Sequence, residues 1–235
     1  MSTFPNKEPI VGDIHLEYIF NPALAKASFP FVMKGIWLTL LISFVSMFFG
    51  TILGFFIALA RMANSWILRL PARLYISFMR GVPILVILFI LYFGFPYIGI
   101  EFTAVTAAII GFSFNSAAYI AEINRAALSS VPSGQVEAAK SLGLSYWQTM
   151  RGVILPQSVR IALPPLTNVM LDLIKASSLA AMITVPELFQ QAKIVGGREF
   201  DYMTMYILVA LIYWGICSVV SLLQDFLEKR YAKYL

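Results

Sequence analysis

Polar and ionisable side chains recur at helical spacing inside two otherwise apolar stretches of the sequence. Residues three or four apart lie on one face of a helix, so each stretch presents its polar groups together. Ionisable groups in a segment apolar enough to cross a membrane are costly, which makes them candidates for a functional site. Together they could bind a zwitterionic solute, which needs an acceptor for its ammonium group and a donor for its carboxylate. The candidates are Asn115, Tyr119 and Glu122 in the first stretch, and Asn168, Asp172 and Lys175, followed by Ser177, in the second.

The same polar groups could instead have an internal structural role. Glu122 could form an ion pair with Arg125, three residues further along its helix. Asp172 could pair with Lys175 at the same spacing. Asparagine and serine side chains could form hydrogen bonds between helices, each typically worth about 0.6 kcal/mol in a membrane. Arg80, in the sequence RGVP, is interpreted as a structural or gating residue rather than a solute-binding one.

The composition of the chain is that of an integral membrane protein. Of its 235 residues, 60% are hydrophobic and only 12% are charged, and the mean hydropathy is +0.81. Soluble domains usually contain about 25% charged residues. The net charge of +5 does not indicate nucleic-acid binding, because the basic residues are dispersed around the apolar segments. With one cysteine, Cys217, and one histidine, His15, we expect neither a disulfide within the chain nor a metal cluster.

Five apolar segments are predicted to be membrane-spanning helices, which makes the fold all-α. A helix needs about 20 apolar residues to cross a bilayer. The predicted spans are residues 31–60, 72–95, 103–128, 155–183 and 204–227. The sequence RGVP, residues 80–83, should bend or locally unwind the second span, because proline cannot donate a helical hydrogen bond. The G-x-x-x-G pattern of Gly50 and Gly54 predicts close helix packing in the first span.

The distribution of lysine and arginine predicts the orientation in the membrane. The loops after the first and third spans and the C-terminal tail are the most basic, and with five spans all three lie on one side, which should be the cytoplasm. The predicted organisation is an extracytoplasmic arm at residues 1–30, a transmembrane domain at residues 31–228 and a cytoplasmic tail at residues 229–235. The arm has no basic region followed by an apolar core, so we expect no cleaved signal peptide.

A polar segment, residues 133–156, separates the third and fourth spans. Ser133 could cap a short helix that Gly143 ends in a left-handed conformation. Ser145 and Gln148 have the spacing of a capping box, which predicts a second short helix. The segment is therefore predicted to be a helix-turn-helix at the cytoplasmic membrane surface. From composition alone, an ordinary amphipathic interfacial loop would explain it as well.

The polar segment also carries a family motif. Its sequence EAAKSLGLSYWQTMRGVILPQ resembles the EAA loop of ABC importer membrane subunits, in the residues Glu137, Ala138, Ala139, Gly143, Ile154, Leu155 and Pro156. Four other stretches resemble the polar amino-acid branch of these importers: MRGVPILVILFILYFG, AAYIAEINRAALSSVPSGQVEAA, LIKASSLAAMITVPELFQQA and MYILVALIYW. The segments VPELFQQA and FPYIGIEF are most similar to the cystine-type members. One departure is Ala176, since the branch usually has an acidic residue there.

This resemblance implies a type I importer permease in a bacterial cytoplasmic membrane that transports an amino acid, with cystine favoured. Its EAA loop would bind an ATPase, so the expected partners are two ATP-binding cassette subunits. A second, preferably identical, permease subunit and an extracytoplasmic amino-acid-binding protein would complete the assembly. This chain would be a transport subunit rather than an enzyme and would hold no cofactor, since it lacks the G-x-x-x-x-G-K-[ST] motif. ATP and Mg would bind to the partner ATPase. Amino acid and membrane lipid are further expected partners, and nucleic acid is not.

Three alternatives differ in what they predict. An ion-driven secondary carrier would need no ATPase and would be expected to contain an inverted repeat, which the sequence does not show. A structural subunit would keep the ATPase-binding loop without a solute pathway, so substitutions of Asn168 and Asp172 would leave transport intact. A membrane enzyme would need a nucleophile–base pair or a metal cluster, and the sequence contains neither.

Overall fold

The computed structural model describes the backbone of residues 19–232 and the side chains of residues 19–226. Within that range the regular structure is helical throughout, without strands, as the lengths of the apolar segments predicted. The helices are α1 (Pro22–Val32), α2 (Ile36–Met62), α3 (Trp66–Gly81), α4 (Ile84–Phe89), α5 (Ala104–Ser129), α6 (Ser133–Ser141), α7 (Tyr146–Thr149), α8 (Leu155–Ala176), α9 (Leu188–Glu199) and α10 (Tyr202–Ala232). Tighter 3-10 turns at Met33–Gly35, Phe95–Ile98 and Ser177–Ile183, and wider π-helical turns at Ile90–Gly94 and Met150–Ile154, continue some of them.

Four helical stretches in the described range are long and apolar enough to cross a membrane: Pro22–Met62, Ala104–Ser129, Tyr146–Ile183 and Tyr202–Phe226. The bent pair α3 and α4 completes the predicted set of five if it counts as one span. Large apolar side chains are exposed on these helices, as expected for surfaces that face lipid. The prediction of an all-α membrane fold is confirmed.

The first span begins earlier than the sequence pattern predicted. The side chain of Asn21 accepts a hydrogen bond from the Leu24 amide (3.1 Å) and caps α1, and Pro22 occupies the first helical position, where its missing N–H costs nothing. The helical stretch then continues through a 3-10 turn into α2. The predicted arm at residues 1–30 is therefore partly helical, and its residues 1–18 lie outside the described range.

The second span is broken where the sequence predicted a break. The axes of α3 and of the segment Ile84–Ile98 differ by 101°. Val82 and Pro83 between them have extended backbone conformations. A residue before proline is disfavoured in the helical region, and proline has no amide hydrogen to bond within α3, so the helix ends here.

The most extensive helix–helix contact joins α2 to α5. A Cβ atom on Gly50 would collide with the Ser116 hydroxyl, and one on Gly54 would lie 2.9 Å from the Ala117 carbonyl oxygen. The two glycines therefore allow the backbones to approach closely, as the G-x-x-x-G pattern predicted. This packing lies within the chain and fixes α5, which carries part of the candidate site.

Candidate functional site

The polar segment forms an exposed protrusion made of α6 and α7. Glu137 and Ala138 are exposed, whereas Ala139 is buried. At the tip the apolar side chains of Leu142 and Trp147 are 80% and 70% exposed. Large exposed apolar side chains on a short polar loop are typical of a protein–protein contact surface. The predicted ATPase-coupling residues thus lie on or beside a surface that a partner could cover.

Local hydrogen bonds hold the protrusion in shape. Ser145 accepts a bond from the Gln148 amide (3.4 Å) while its own amide donates to Gln148 Oε1 (2.8 Å), so the predicted capping box is present. Gly143 ends the first helix at φ +74°, the predicted left-handed conformation. The prediction that Ser133 caps the first helix was wrong. Ser133 is the first residue of α6, Pro132 occupies the cap position, and no side chain caps the helix.

A π-helical turn, Met150–Ile154, joins the protrusion directly to α8. Pro156 is the second residue of α8, which directly follows the π-helical turn. The loop and the fourth span are therefore one continuous helical path. The protrusion is therefore joined to α8 without a non-helical linker between them.

Two adjoining cavities, here called the chamber, lie between α5 and α8. Their volumes are about 660 and 200 Å³. Tyr119, Val169 and Asp172 line both cavities. The broken span contributes Arg80, at the end of α3, to the larger cavity and Ile84, at the start of α4, to the smaller one. The break in the second span therefore forms part of the chamber wall.

Five of the seven predicted pathway residues line the chamber. Asn115 donates its amide to the Met79 carbonyl (2.8 Å) and so ties α5 to α3. The Arg80 guanidinium lies 5.4 Å from the centre of the Tyr119 ring, within range of a cation–π interaction. Polar groups from two spans thus converge on one space. The five residues are Asn115, Tyr119, Glu122, Asn168 and Asp172.

The other two predicted residues lie outside the chamber wall. Lys175 Nζ is 2.8 Å from Asp172 Oδ1, and the lysine side chain is 59% exposed. Ser177 is buried and donates its hydroxyl to the Ile174 carbonyl (2.7 Å). The Asp172–Lys175 ion pair expected from the spacing is present, and through it Lys175 contacts a residue of the chamber wall.

Glu122 forms ion pairs with arginines of two different spans. Its carboxylate is 2.9 Å from Arg125 Nη2, as the spacing predicted, and 3.6 Å from Arg61 Nε at the end of α2. The second contact was not predictable from spacing, because Arg61 is distant in the sequence. Glu122 therefore links α2 to α5 while also lining the chamber.

A buried carboxylate in the loop before α9 was missed. Glu187 is fully buried and accepts hydrogen bonds from Tyr213 Oη (2.6 Å) and from the amides of Phe189 (2.9 Å) and Gln190 (2.8 Å). Thr39 Oγ1 is 3.5 Å away. The carboxylate thus caps α9 and joins α2 to α10. The sequence feature that could have identified Glu187 as a helix cap is its position directly before the apolar residues that begin α9.

The protein combines a multi-span helical fold and a broken span with a polar chamber and an exposed protrusion. This combination is typical of the permease component of a transporter. The family model for the binding-protein-dependent transport system inner membrane component matches residues 50–233. The chain belongs to this family and is the membrane-spanning permease subunit of an ABC transporter. It is a transport subunit rather than an enzyme.

Relatives and solved structures agree with this assignment. The chain is 76% identical to YckA, a probable amino-acid ABC transporter permease protein of Bacillus subtilis (strain 168). The match extends over 226 residues, which are 96% of this chain and all of the relative. The chain is also 42% identical to the L-cystine transport system permease protein TcyB of the same strain, covering 90% of this chain and 92% of that one. A crystal structure of an amino acid ABC transporter with histidines superposes with a TM-score of 0.84 at 36% identity, covering 88% of this chain and 97% of that chain. The resemblance to amino-acid ABC permeases seen in the sequence is confirmed.

Proposed function

We propose that this chain forms the translocation pathway of an ATP-driven amino-acid importer and that the transported amino acid is cystine. The observation that supports the proposal best is the chamber, where polar groups of α5 and α8 face one another beside the broken span. The 42% identity to a cystine permease favours cystine among the amino acids.

The chamber offers complementary groups to a zwitterion. The Asp172 carboxylate and the Tyr119 hydroxyl can accept hydrogen bonds from an ammonium group. The side-chain amide of Asn168, which lines the larger cavity, can donate to a carboxylate. Such contacts provide weak recognition, in keeping with selection of the solute by an extracytoplasmic binding protein.

The assembly we propose contains two copies of this chain, two ATPase subunits and one binding protein. Each ATPase would bind a protrusion through the surface around Glu137 and hold ATP and Mg. The N-terminus would lie outside the cell and the C-terminus in the cytoplasm, which puts the protrusion on the side where ATP is present. Closure of the ATPases would draw the protrusions together and reorient the pathway by alternating access.

Uptake of labelled cystine into proteoliposomes that contain the complete transporter tests the proposal. Asp172→Asn should reduce uptake without changing ATPase association, because it removes the acceptor charge from the chamber but leaves the protrusion intact. Gly143→Val should uncouple ATP hydrolysis from uptake, because valine is strained at φ +74° and the substitution alters the protrusion rather than the chamber. Lys193 is half-buried on α9 and does not line the chamber, so Lys193→Gln is the control.

Two results would contradict the proposal. Wild-type uptake by Asp172→Asn and Asn168→Ala would mean that the chamber is not the pathway and that the chain is structural. Uptake of labelled glutamine but not of labelled cystine by the same proteoliposomes would exclude cystine as the solute while leaving the importer intact.

A further inference from the structure

Another cavity lies where α2, α3 and α5 meet, and it shares Arg80 and Glu122 with the chamber. It has a volume of about 330 Å³ and is called here the arginine pocket. Its lining residues are Arg61, Arg73, Ile76, Ser77, Arg80 and Glu122. Arg61 is the penultimate residue of α2, which places the pocket near the membrane boundary at that end of the span.

The charge in the pocket is not balanced by the protein. Glu122 is its one carboxylate, and this group already contacts Arg61 and Arg125. In the part of the chain that the structure describes, neither Arg73 nor Arg80 forms an ion pair. Arginine remains protonated in proteins, so this positive charge cannot be removed by loss of a proton. A bound anion would compensate it.

The surroundings of the pocket are those of a lipid-facing site. Trp66, Ile67, Leu68 and Leu74 are exposed apolar side chains of α3, the helix that also carries Arg73 and Ser77. The floor includes the buried Ile76, whereas Ser77 supplies a hydroxyl donor. Guanidinium groups bind phosphate oxygens in bidentate fashion, and basic pockets between spans bind phospholipid head groups.

We propose that the arginine pocket binds a phosphate oxyanion and that this oxyanion is the head group of an anionic phospholipid. Arg73 and Arg61 hold the phosphate from two helices, and Ser77 donates a hydrogen bond to it. Arg80 and Glu122 line both the pocket and the chamber, so the lipid phosphate and a solute in the chamber have two wall residues in common.

The test uses the delipidated, full-length chain in detergent and measures thermal unfolding together with lipid retention by native mass spectrometry. Dioleoylphosphatidylglycerol is compared with dioleoylphosphatidylcholine, which has the same acyl chains, and with inorganic phosphate. Phosphatidylglycerol should raise the melting temperature and be retained, because a ligand of the folded state stabilises it by mass action. Arg73→Gln should lose most of both effects.

Arg73 suits this test because no ion pair or hydrogen bond of its side chain is present in the described residues, so its replacement should not unfold the chain. Arg69 carries the same charge on the same helix but does not line the pocket. The Arg69→Gln variant should therefore be stabilised by phosphatidylglycerol and retain it as the wild type does. Equal responses to the two lipids, or equal losses in the two variants, would overturn the proposal. An equal stabilisation by inorganic phosphate would retain the anion site but exclude the lipid as its specific occupant.

Discussion

The protrusion and the Glu187 loop both connect neighbouring spans, yet they are held in opposite ways. In the protrusion the hydrogen bonds join residues a few positions apart, as in the Ser145–Gln148 capping box, and the side chains at its tip are exposed. In the loop before α9 the Glu187 carboxylate is buried and binds Tyr213, 26 residues away. The first segment can keep its shape while moving as a unit. The second is part of the folded core and resists displacement.

Replacement of the buried carboxylate should have the largest effect. Glu187→Ala leaves the Tyr213 hydroxyl and the Phe189 and Gln190 amides without their acceptor, at a cost of about 3 kcal/mol or more. Thermal unfolding of the purified chain in detergent measures this loss. The exposed Glu199, at the other end of α9, serves as the control. If Glu199→Ala destabilises the chain as much, the burial of Glu187 is not the reason.

The stability of the same loop should depend on pH. Burial raises the pKa of the Glu187 carboxyl, and hydrogen bonds from Tyr213 and the Phe189 and Gln190 amides offset part of this rise. The folded state therefore binds the proton more tightly than the unfolded state, and the resulting stability is present at low pH and lost as pH rises through the folded-state pKa. Each pKa unit by which the folded and unfolded states differ corresponds to about 1.4 kcal/mol of stability.

Glu187→Gln, which cannot titrate, is the reference for this measurement. The melting temperature of the wild type relative to the variant should fall as pH increases from about 4.3, the ordinary pKa of glutamate, through the raised pKa. A difference that stays constant over this range would show that Glu187 has the same pKa in both states.

Removal of a cap in the protrusion should have the smallest effect. Ser145→Ala costs about 1 kcal/mol locally, because the Gln148 amide loses its acceptor. Amide hydrogen exchange of residues 146–149 should accelerate, whereas the global melting temperature should not change. Ser133→Ala removes a hydroxyl of the same protrusion that caps no helix, and it is the control. A lower melting temperature for Ser145→Ala would mean that the protrusion is part of the cooperative core.

The features that were predictable from the sequence are those fixed by near neighbours. The span positions, the break at RGVP, the left-handed Gly143 and the ion pair of Glu122 with Arg125 each depend on residues within a few positions of one another. The contacts of Glu187 with Tyr213 and of Glu122 with Arg61 depend on how separate helices are rotated and packed. Spacing along one helix does not contain that information, and for the same reason Arg80 lines the chamber whereas Lys175 does not.

The close contact of α2 with α5 also affects how force passes through the chain. Gly50 and Gly54 bring the two backbones so near that any sliding would drive a side chain into a main chain. Only three residues separate the end of α5 from the protrusion. We therefore expect α2 and α5 to move as one rigid unit when the protrusion is displaced, and we expect the bend at Val82 and Pro83 to accommodate that movement.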